Sequence, residues 1–355
     1  MIPVTKSFLP PIEEYMLQVQ RAYDNNWLTN RGELVVELEQ KLTDYLELKE
    51  SKILCMNNGT IPLQIALKLL GNGGEVITTP FSYVATTAAI VWENCIPVFV
   101  DIHPEYFTID ETLIEAAITE KTTCILATHV FGNPCNVEEI ERIALKHNLK
   151  VIYDAAHCFG VKYNGKSIFE YGDVSTCSFH ATKLFHTGEG GAIFCRDKDL
   201  FDKISLSHSF GHIGDEYFQL GINGKMSELQ AAMGLSVLPY MKQILDKRKY
   251  NFDNYKSHLK NRFRTIRIRE KTEYNFSYIP QIFDSEVNLN KTVSELNKLD
   301  IYPRRYFYPS LNTITFYSQD NKCPISEKIA RNIICLPNFI DLEFENFSII
   351  SKLIY

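Results

Sequence analysis

Lys183 sits in the segment Ser178-Phe-His-Ala-Thr-Lys-Leu-Phe-His-Thr-Gly-Glu-Gly-Gly191, a tight loop between two short apolar runs that closes on a glycine-rich turn. A lysine amine so placed can hold an aldehyde as an imine. Its neighbours Phe179, Leu184 and Phe185 make a partly apolar setting, which depresses the ammonium pKa and favours the neutral nucleophile. Upstream, the apolar run 150–153 ends in Asp154-Ala-Ala-His157. That puts a carboxylate where a buried strand should stop, and α/β sheets gather ligand-binding groups at this edge. A third element, Asn57-Asn58-Gly59-Thr60, follows one expected strand and opens an expected helix. Its backbone N–H groups and the Thr60 hydroxyl then face the positive end of the helix dipole, a geometry that binds phosphate. The competing reading of the same residues is an ordinary helix cap by Asn58 or Thr60. Ser178, five residues before Lys183, would add another hydroxyl.

These requirements converge on one cofactor, pyridoxal phosphate. It needs a lysine amine for its aldehyde, an acid that keeps its ring nitrogen protonated as an electron sink, and donors for its phosphate. Lys183 is the expected catalytic residue, first holding the cofactor and then moving the proton between Cα and the cofactor's C4′. Asp154 is expected at the ring nitrogen, and His157 at the phenolic oxygen. Tyr83, in Pro80-Phe-Ser-Tyr-Val-Ala-Thr86, is expected to stack on the ring face. Gly59, Thr60 and Ser178 are the expected phosphate contacts, and Gly188, Gly190 and Gly191 let the backbone turn closely around the group.

The elements that must position these residues read as α/β, with a mainly parallel sheet. Strands are expected at 52–56, 75–78, 97–101, 123–127, 151–154, 176–179 and 192–195. Helices are expected at 11–23, 33–46, 61–70, 84–93, 111–118, 137–147 and 198–207. A long helical stretch over 225–259 should kink or split at Pro239. It leads into a smaller α+β part with β-type segments at 263–268 and 277–282 and helical patterns at 289–299 and 326–334. The expected domains are 1–240, which binds the cofactor, and 241–355.

With 355 residues, 45% of them apolar, the chain can bury a sizeable core. Its formal charge of −6 is spread without a basic patch, which argues against nucleic acid or an anionic membrane as partner. No apolar stretch reaches about 18 residues and the N-terminus lacks a signal-peptide pattern, so the expected location is the cytoplasm. Nine cysteines without a C-x-x-C pair suggest neither a disulfide framework nor a zinc site. No metal is expected.

Taken together, the motifs resemble the sugar-nucleotide aminotransferases of the DegT/StrS type, enzymes of aspartate aminotransferase fold type I. Trp27-Leu-Thr-Asn30 resembles the family's N-terminal turn, Asn58-Gly-Thr60 its phosphate-binding helix start, and Thr79-Pro-Phe-Ser-Tyr-Val-Ala-Thr86 its cofactor-stacking segment. The Asp154 and Lys183 segments resemble its central signature. Gly221-Ile-Asn-Gly-Lys-Met-Ser-Glu-Leu-Gln-Ala-Ala232 is similar to the segment through which family members reach the neighbouring subunit's cofactor phosphate, the asparagine corresponding to Asn223. The resemblance implies a homodimer with shared active sites, and an amino group taken from L-glutamate and delivered to a nucleotide-linked keto sugar. Lysine rather than histidine at 183 argues against the dehydratase branch.

Phe8-Leu-Pro-Pro11, His180-Ala-Thr-Lys-Leu-Phe-His186 and Arg304-Arg-Tyr-Phe-Tyr-Pro309 look most like enzymes that aminate dTDP-4-keto-6-deoxyglucose at C4 for surface polysaccharide such as O-antigen. Substrate contacts are expected from Thr29, His180, His186, Arg304, Arg305 and Tyr308. Asn223-Gly-Lys225 departs from the commoner Asn-Tyr-Arg, leaving Lys225 open between a phosphate contact and an interface role. The alternatives are a C3 aminotransferase acting on a dTDP-3-keto-6-deoxyhexose and a non-catalytic regulatory subunit that binds the cofactor.

Overall fold

Alternation within the apolar runs decides how the sheet is covered. In β1 (Lys52–Met56), Ile53 and Cys55 enter one core while Leu54 and Met56 enter the other, and in β4 (Thr122–Thr128), Ile125 and Ala127 oppose Cys124 and Leu126. A strand apolar on both sides must lie between two layers of helices. The remaining strands are β2 (Glu75–Thr78), β3 (Ile96–Phe99), β5 (Lys150–Asp154), β6 (Val174–Ser178) and β7 (Gly191–Cys195). They pair in the spatial order β1-β7-β6-β5-β4-β2-β3. Neighbours from β6 through β3 are parallel, whereas β7 runs antiparallel to both β1 and β6. The structure is a computed structural model that describes residues 1–317 and 322–354.

One face is covered by α2 (Glu33–Tyr45), α5 (Val137–His147) and α7 (Glu228–Val237), through side chains such as Leu38, Ile140 and Leu235. The other is covered by α3 (Ile61–Leu70), α4 (Val84–Trp92) and α6 (Lys198–Ser207), through Leu67, Ile90 and Ile204. α1 (Ile12–Asp24) packs on α7. The long helical stretch does split at Pro239, where a 3-10 turn (Leu238–Tyr240) separates α7 from α8 (Met241–Leu259).

Two expected elements differ. Residues 111–118 form two 3-10 turns, Glu111–Leu113 and Glu115–Ala117, because the Asp110 side chain accepts the Thr112 N–H and Ile118 is already extended. So short a segment cannot offset the cost of nucleating an α-helix. Residues 263–268 are not assigned to a strand; their apolar member Ile266 is buried against Phe81, Phe107 and Phe131 without a ladder.

The C-terminal region builds its own core from Tyr255, Leu259, Ile279, Leu289, Leu296, Phe347 and Ile350. A two-stranded antiparallel sheet, β8 (Pro280–Ile282) with β9 (Ile333–Cys335), lies among α9 (Glu286–Lys298), α10 (Pro324–Asn332) and α11 (Phe344–Leu353). The first residues of the chain return here, since Ile2–Pro3 pairs parallel with Ile301–Tyr302.

Strand direction places the chemistry. β1, β4, β5 and β6 all point the same way, so the Asn57–Thr60 turn, Thr128, Asp154 and Ser178 emerge at one sheet edge. Because β7 is antiparallel, Gly191 opposite Ser178 also starts at that edge. The connection 179–190 carrying Lys183 is therefore a hairpin loop folded over the site. Backbone bonds cross it from Phe179 N to Gly190 O (2.8 Å), Ala181 N to Gly188 O (2.7 Å) and Thr187 N to Phe179 O (2.9 Å).

Candidate active site

A cavity of about 260 Å³ opens at this edge, lined by Gly59, Thr60, Tyr83, Asp154, His157, Ser178, His180, Lys183 and Arg304 among others. Eight of these nine come from four sheet-edge turns and loops, and Arg304 from the C-terminal part.

At one end, Gly59 lies against Ser178 so closely that a Cβ on the glycine would stand 2.7 Å from the serine Cβ and 2.8 Å from its hydroxyl oxygen. The cap expected from Asn58 is present. Asn58 Oδ1 accepts the N–H groups of Thr60 (2.8 Å) and Ile61 (2.9 Å), capping α3. The Thr60 and Ser178 hydroxyls remain beside the glycine, a small polar cradle that suits a phosphate at a helix N-terminus. Replacing Gly59 by alanine should weaken retention of pyridoxal phosphate on the order of tenfold by equilibrium dialysis, the equivalent of about one charge-assisted hydrogen bond, with the far-UV spectrum unchanged.

Asp154, 5% exposed, holds its carboxylate in place through two neutral donors, Thr86 Oγ1 at 2.6 Å and the Ala156 N–H at 3.1 Å. Thr86 is braced by Ser82 at 2.8 Å, and Ser82 by Thr128 at 3.2 Å. Among the described residues the carboxylate makes no ion pair. A buried carboxylate with spare lone pairs suits a protonated ring nitrogen.

His157 Nδ1 accepts the Phe131 N–H at 3.1 Å, and burial, with the nearby Lys183, holds its pKa well below the ordinary value. The ring is therefore neutral with its proton on Nε2, a donor suited to a phenolic oxygen. It stacks on Phe307 with centroids 5.7 Å apart.

Lys183 Nζ lies 3.3 Å from the hydroxyl of Tyr278. Burial lowers its pKa, opposed by the attraction of Asp154. The amine is thereby poised toward its nucleophilic form, the pattern expected where chemistry is done. Tyr83 projects beside it, 52% exposed in the single chain, with its ring available for stacking.

Other expected residues lie elsewhere. His186 is 2% exposed, with Nε2 2.6 Å from the Phe8 carbonyl and Nδ1 accepting the Gly188 N–H at 3.3 Å. Both nitrogens are occupied, so it ties the N-terminal segment to the lysine loop and does not line the cavity. Arg305 donates to Glu286 (2.7 Å) and the Arg331 carbonyl (3.0 Å), and its guanidinium lies 3.5 Å over the Tyr308 ring. That pair is thus spent on itself outside the cavity. Consecutive residues on extended backbone face opposite ways, which is why Arg304 lines the cavity when Arg305 does not. Thr29 is on an exposed turn held by the bond from Glu228 N to Leu28 O. Asn223 is exposed, outside this chain's cavity, and its carbonyl accepts from Asn57 Nδ2 at 3.3 Å. Lys225 Nζ sits 4.6 Å over the Phe210 ring.

Sequence reasoning missed Thr86, Gln230, Tyr278, Tyr306 and Phe307. Gln230 Nε2 donates to the carbonyls of Asn57 (2.9 Å) and Glu189 (2.8 Å), fastening the Asn57–Thr60 turn to the glycine-rich turn. Thr86, Gln230, Tyr306 and Phe307 had a local signal, as members of motifs already singled out, whereas Tyr278 had none.

Residues 11–354 match the DegT/DnrJ/EryC1/StrS aminotransferase family. A dTDP-4-amino-4,6-dideoxy-D-glucose transaminase of Shigella dysenteriae is 40% identical over 347 residues, covering 96% of this chain and 94% of the relative. A transaminase of the same name from Escherichia coli is 40% identical over 368 residues, covering 99% and 98%. Among solved structures, DesI in the presence of its TDP-sugar product matches with a TM-score of 0.93 at 28% identity, covering 99% of this chain and 91% of that one. With a lysine, a carboxylate and a small polar cradle assembled at one sheet edge, this chain belongs to the DegT/DnrJ/EryC1/StrS aminotransferase family and is a pyridoxal phosphate-dependent sugar aminotransferase.

Proposed function

We propose that the chain moves the amino group of L-glutamate to C4 of dTDP-4-keto-6-deoxy-D-glucose, giving dTDP-4-amino-4,6-dideoxy-D-glucose for surface polysaccharide. The observation that carries this acceptor is the 40% identity, over nearly the whole chain, to two transaminases named for that amino sugar.

When bound, pyridoxal phosphate supplies the aldehyde that captures amines and the ring that absorbs the electrons left by a departing Cα proton. In this reading Lys183 would hold the aldehyde carbon, and its free Nζ would move the proton between Cα and C4′, in one direction for the glutamate half-reaction and in the other for the keto sugar. Asp154 would fix the charge on the ring nitrogen, and His157 would donate from Nε2 to the phenolic oxygen. Tyr83 would cover the ring face, and Gly59, Thr60 and Ser178 would hold the phosphate.

The working form is a homodimer in the cytoplasm, each site receiving Asn223 from the second copy. Support comes from apolar side chains left exposed on the single chain, among them Trp27 and Leu28 on one segment and Ile213, Tyr217 and Leu220 on another. Apolar surface of this kind marks an association face. No helix among the described residues is long and apolar enough to cross a membrane. We assign residues 1–240 to the cofactor-binding domain and 241–355 to the smaller one, in keeping with the separate core around Tyr255 and Phe347.

Arg304 is assigned to the nucleotide sugar's pyrophosphate. No acid pairs with it among the described residues, and a guanidinium binds phosphate oxygens bidentately. Arg304→Gln should raise the KM for the nucleotide sugar about 10- to 100-fold, the loss of one charged hydrogen-bonding group, and leave the glutamate half-reaction within about threefold.

The deciding experiment follows the visible band of the loaded protein. Glutamate should bleach it and dTDP-4-keto-6-deoxyglucose should restore it, with NMR of the product locating nitrogen at C4. Bleaching without recovery would replace the acceptor, and nitrogen at C3 would move the regiochemistry.

A further inference from the structure

Tyr278 comes from the C-terminal part of the chain, yet its hydroxyl is the group hydrogen-bonded to the reactive amine, 3.3 Å from Lys183 Nζ. Its segment is built to hold that position. Arg248, a guanidinium on α8 only 5% exposed, donates to the Ser277 carbonyl at 3.0 Å. The Ser277 hydroxyl donates to the His157 carbonyl at 3.1 Å, and Asn275 Nδ2 reaches the same carbonyl at 2.9 Å. The ring is gripped by His157 (centroids 4.6 Å apart), Phe131 (5.6 Å) and, edge-on, Tyr306 (5.7 Å).

We propose that Tyr278 is a further catalytic residue, whose hydroxyl anchors the Lys183 amine while it is detached and carrying the proton. The inference rests on the reading above that Lys183 moves that proton. During transfer Nζ alternates between a neutral amine, which offers a lone pair, and an ammonium, which offers only hydrogens. A hydroxyl serves both states, donating to the first and accepting from the second by rotating its O–H. Asp154 accepts only, and neutral His157 has only its Nε2–H to give. Burial pushes the Tyr278 phenol well above its ordinary pKa, so it keeps its own proton throughout. The proton balance is closed: one proton leaves Cα, rides on Nζ and arrives at C4′, while Tyr278 gains and loses none. Without the anchor the flexible lysine would sample positions out of line with both carbons, and misplacement on the ångström scale costs on the order of 100-fold in rate.

Tyr278→Phe retains the ring and its contacts and removes only the hydroxyl. In single turnovers with glutamate, the bleaching rate should fall on the order of 10- to 100-fold. The primary isotope effect with Cα-deuterated glutamate should rise as proton transfer becomes limiting, and the glutamate concentration for half-maximal rate should stay within about threefold. With cofactor-free protein, the visible band should form more slowly after pyridoxal phosphate is added, a readout independent of turnover. A rate within twofold of the parent and an unchanged isotope effect would overturn the role. So would a slower rate accompanied by a lowered melting temperature and an unchanged isotope effect, which would leave Tyr278 as packing alone. Failure of the underlying reading has a different signature, because the parent protein would itself not be bleached by glutamate.

Discussion

Lys183→Ala protein is expected to lose at least about 10⁴-fold of kcat, since on the proposed assignment one deletion removes both the group that holds the aldehyde and the base that moves the proton. The two losses are not additive, because each acts only when the other is present. Folding should survive, as the loop is fixed by backbone bonds that do not involve this side chain. The variant should still take up the cofactor through the Gly59, Thr60 and Ser178 cradle, without a covalent bond that borohydride can trap. The check is a pair of measurements on one preparation: turnover with glutamate and keto sugar, and mass spectrometry after borohydride. Normal turnover, or a trapped adduct on another lysine, would remove Lys183 from its assignment.

Asp154→Asn carries the second largest effect. The amide keeps the size of the carboxylate and can still meet Thr86 and the Ala156 N–H, so the site should keep its shape. What disappears is the negative charge opposite the ring nitrogen. In a buried, preorganised site a charge aimed at the atom where electrons collect contributes about 3–4 kcal/mol, so the rate of glutamate bleaching should fall on the order of 100- to 1000-fold. The loss should deepen as pH rises, because the nitrogen must then hold its proton unaided. A rate equal to that of the parent at every pH would mean that Asp154 is not the ring's partner.

Why some of this site could be read in the sequence and some could not has a physical origin. Asp154 and Ser178 were legible because each ends a short apolar run, and a run buried on both faces has to stop where its first polar side chain finds water or a ligand. Gly59 and Lys183, which the cavity brings together, were legible because a turn that opens a helix and a loop closing on glycines are local constructions. Tyr278 carries no such mark: it reads as an ordinary aromatic residue of a β-type segment, and only the packing of the C-terminal region against the sheet edge brings it in. His186 shows the converse. It looked chemically able, yet its two ring nitrogens are claimed by the Phe8 carbonyl and the Gly188 N–H, one of them far away in sequence. The doubled turn at 111–117 was misread because the Asp110 side chain competes with the helix for the Thr112 N–H.

The hairpin that carries Lys183 has a further consequence, one of entropy. Its ends are zipped together by the register from Ser178↔Gly191 to Val174↔Cys195, and its interior by backbone bonds between 179–181 and 187–190. Fixing a residue's backbone costs about 1–2 kcal/mol, and here that cost falls on folding. In each catalytic cycle only the side-chain torsions of Lys183 need to change, against a backbone that does not wait for the cofactor to arrive. Amide hydrogens across this loop should therefore exchange equally slowly in the cofactor-free and loaded protein, and a lysine released at one turnover is already in place for the next.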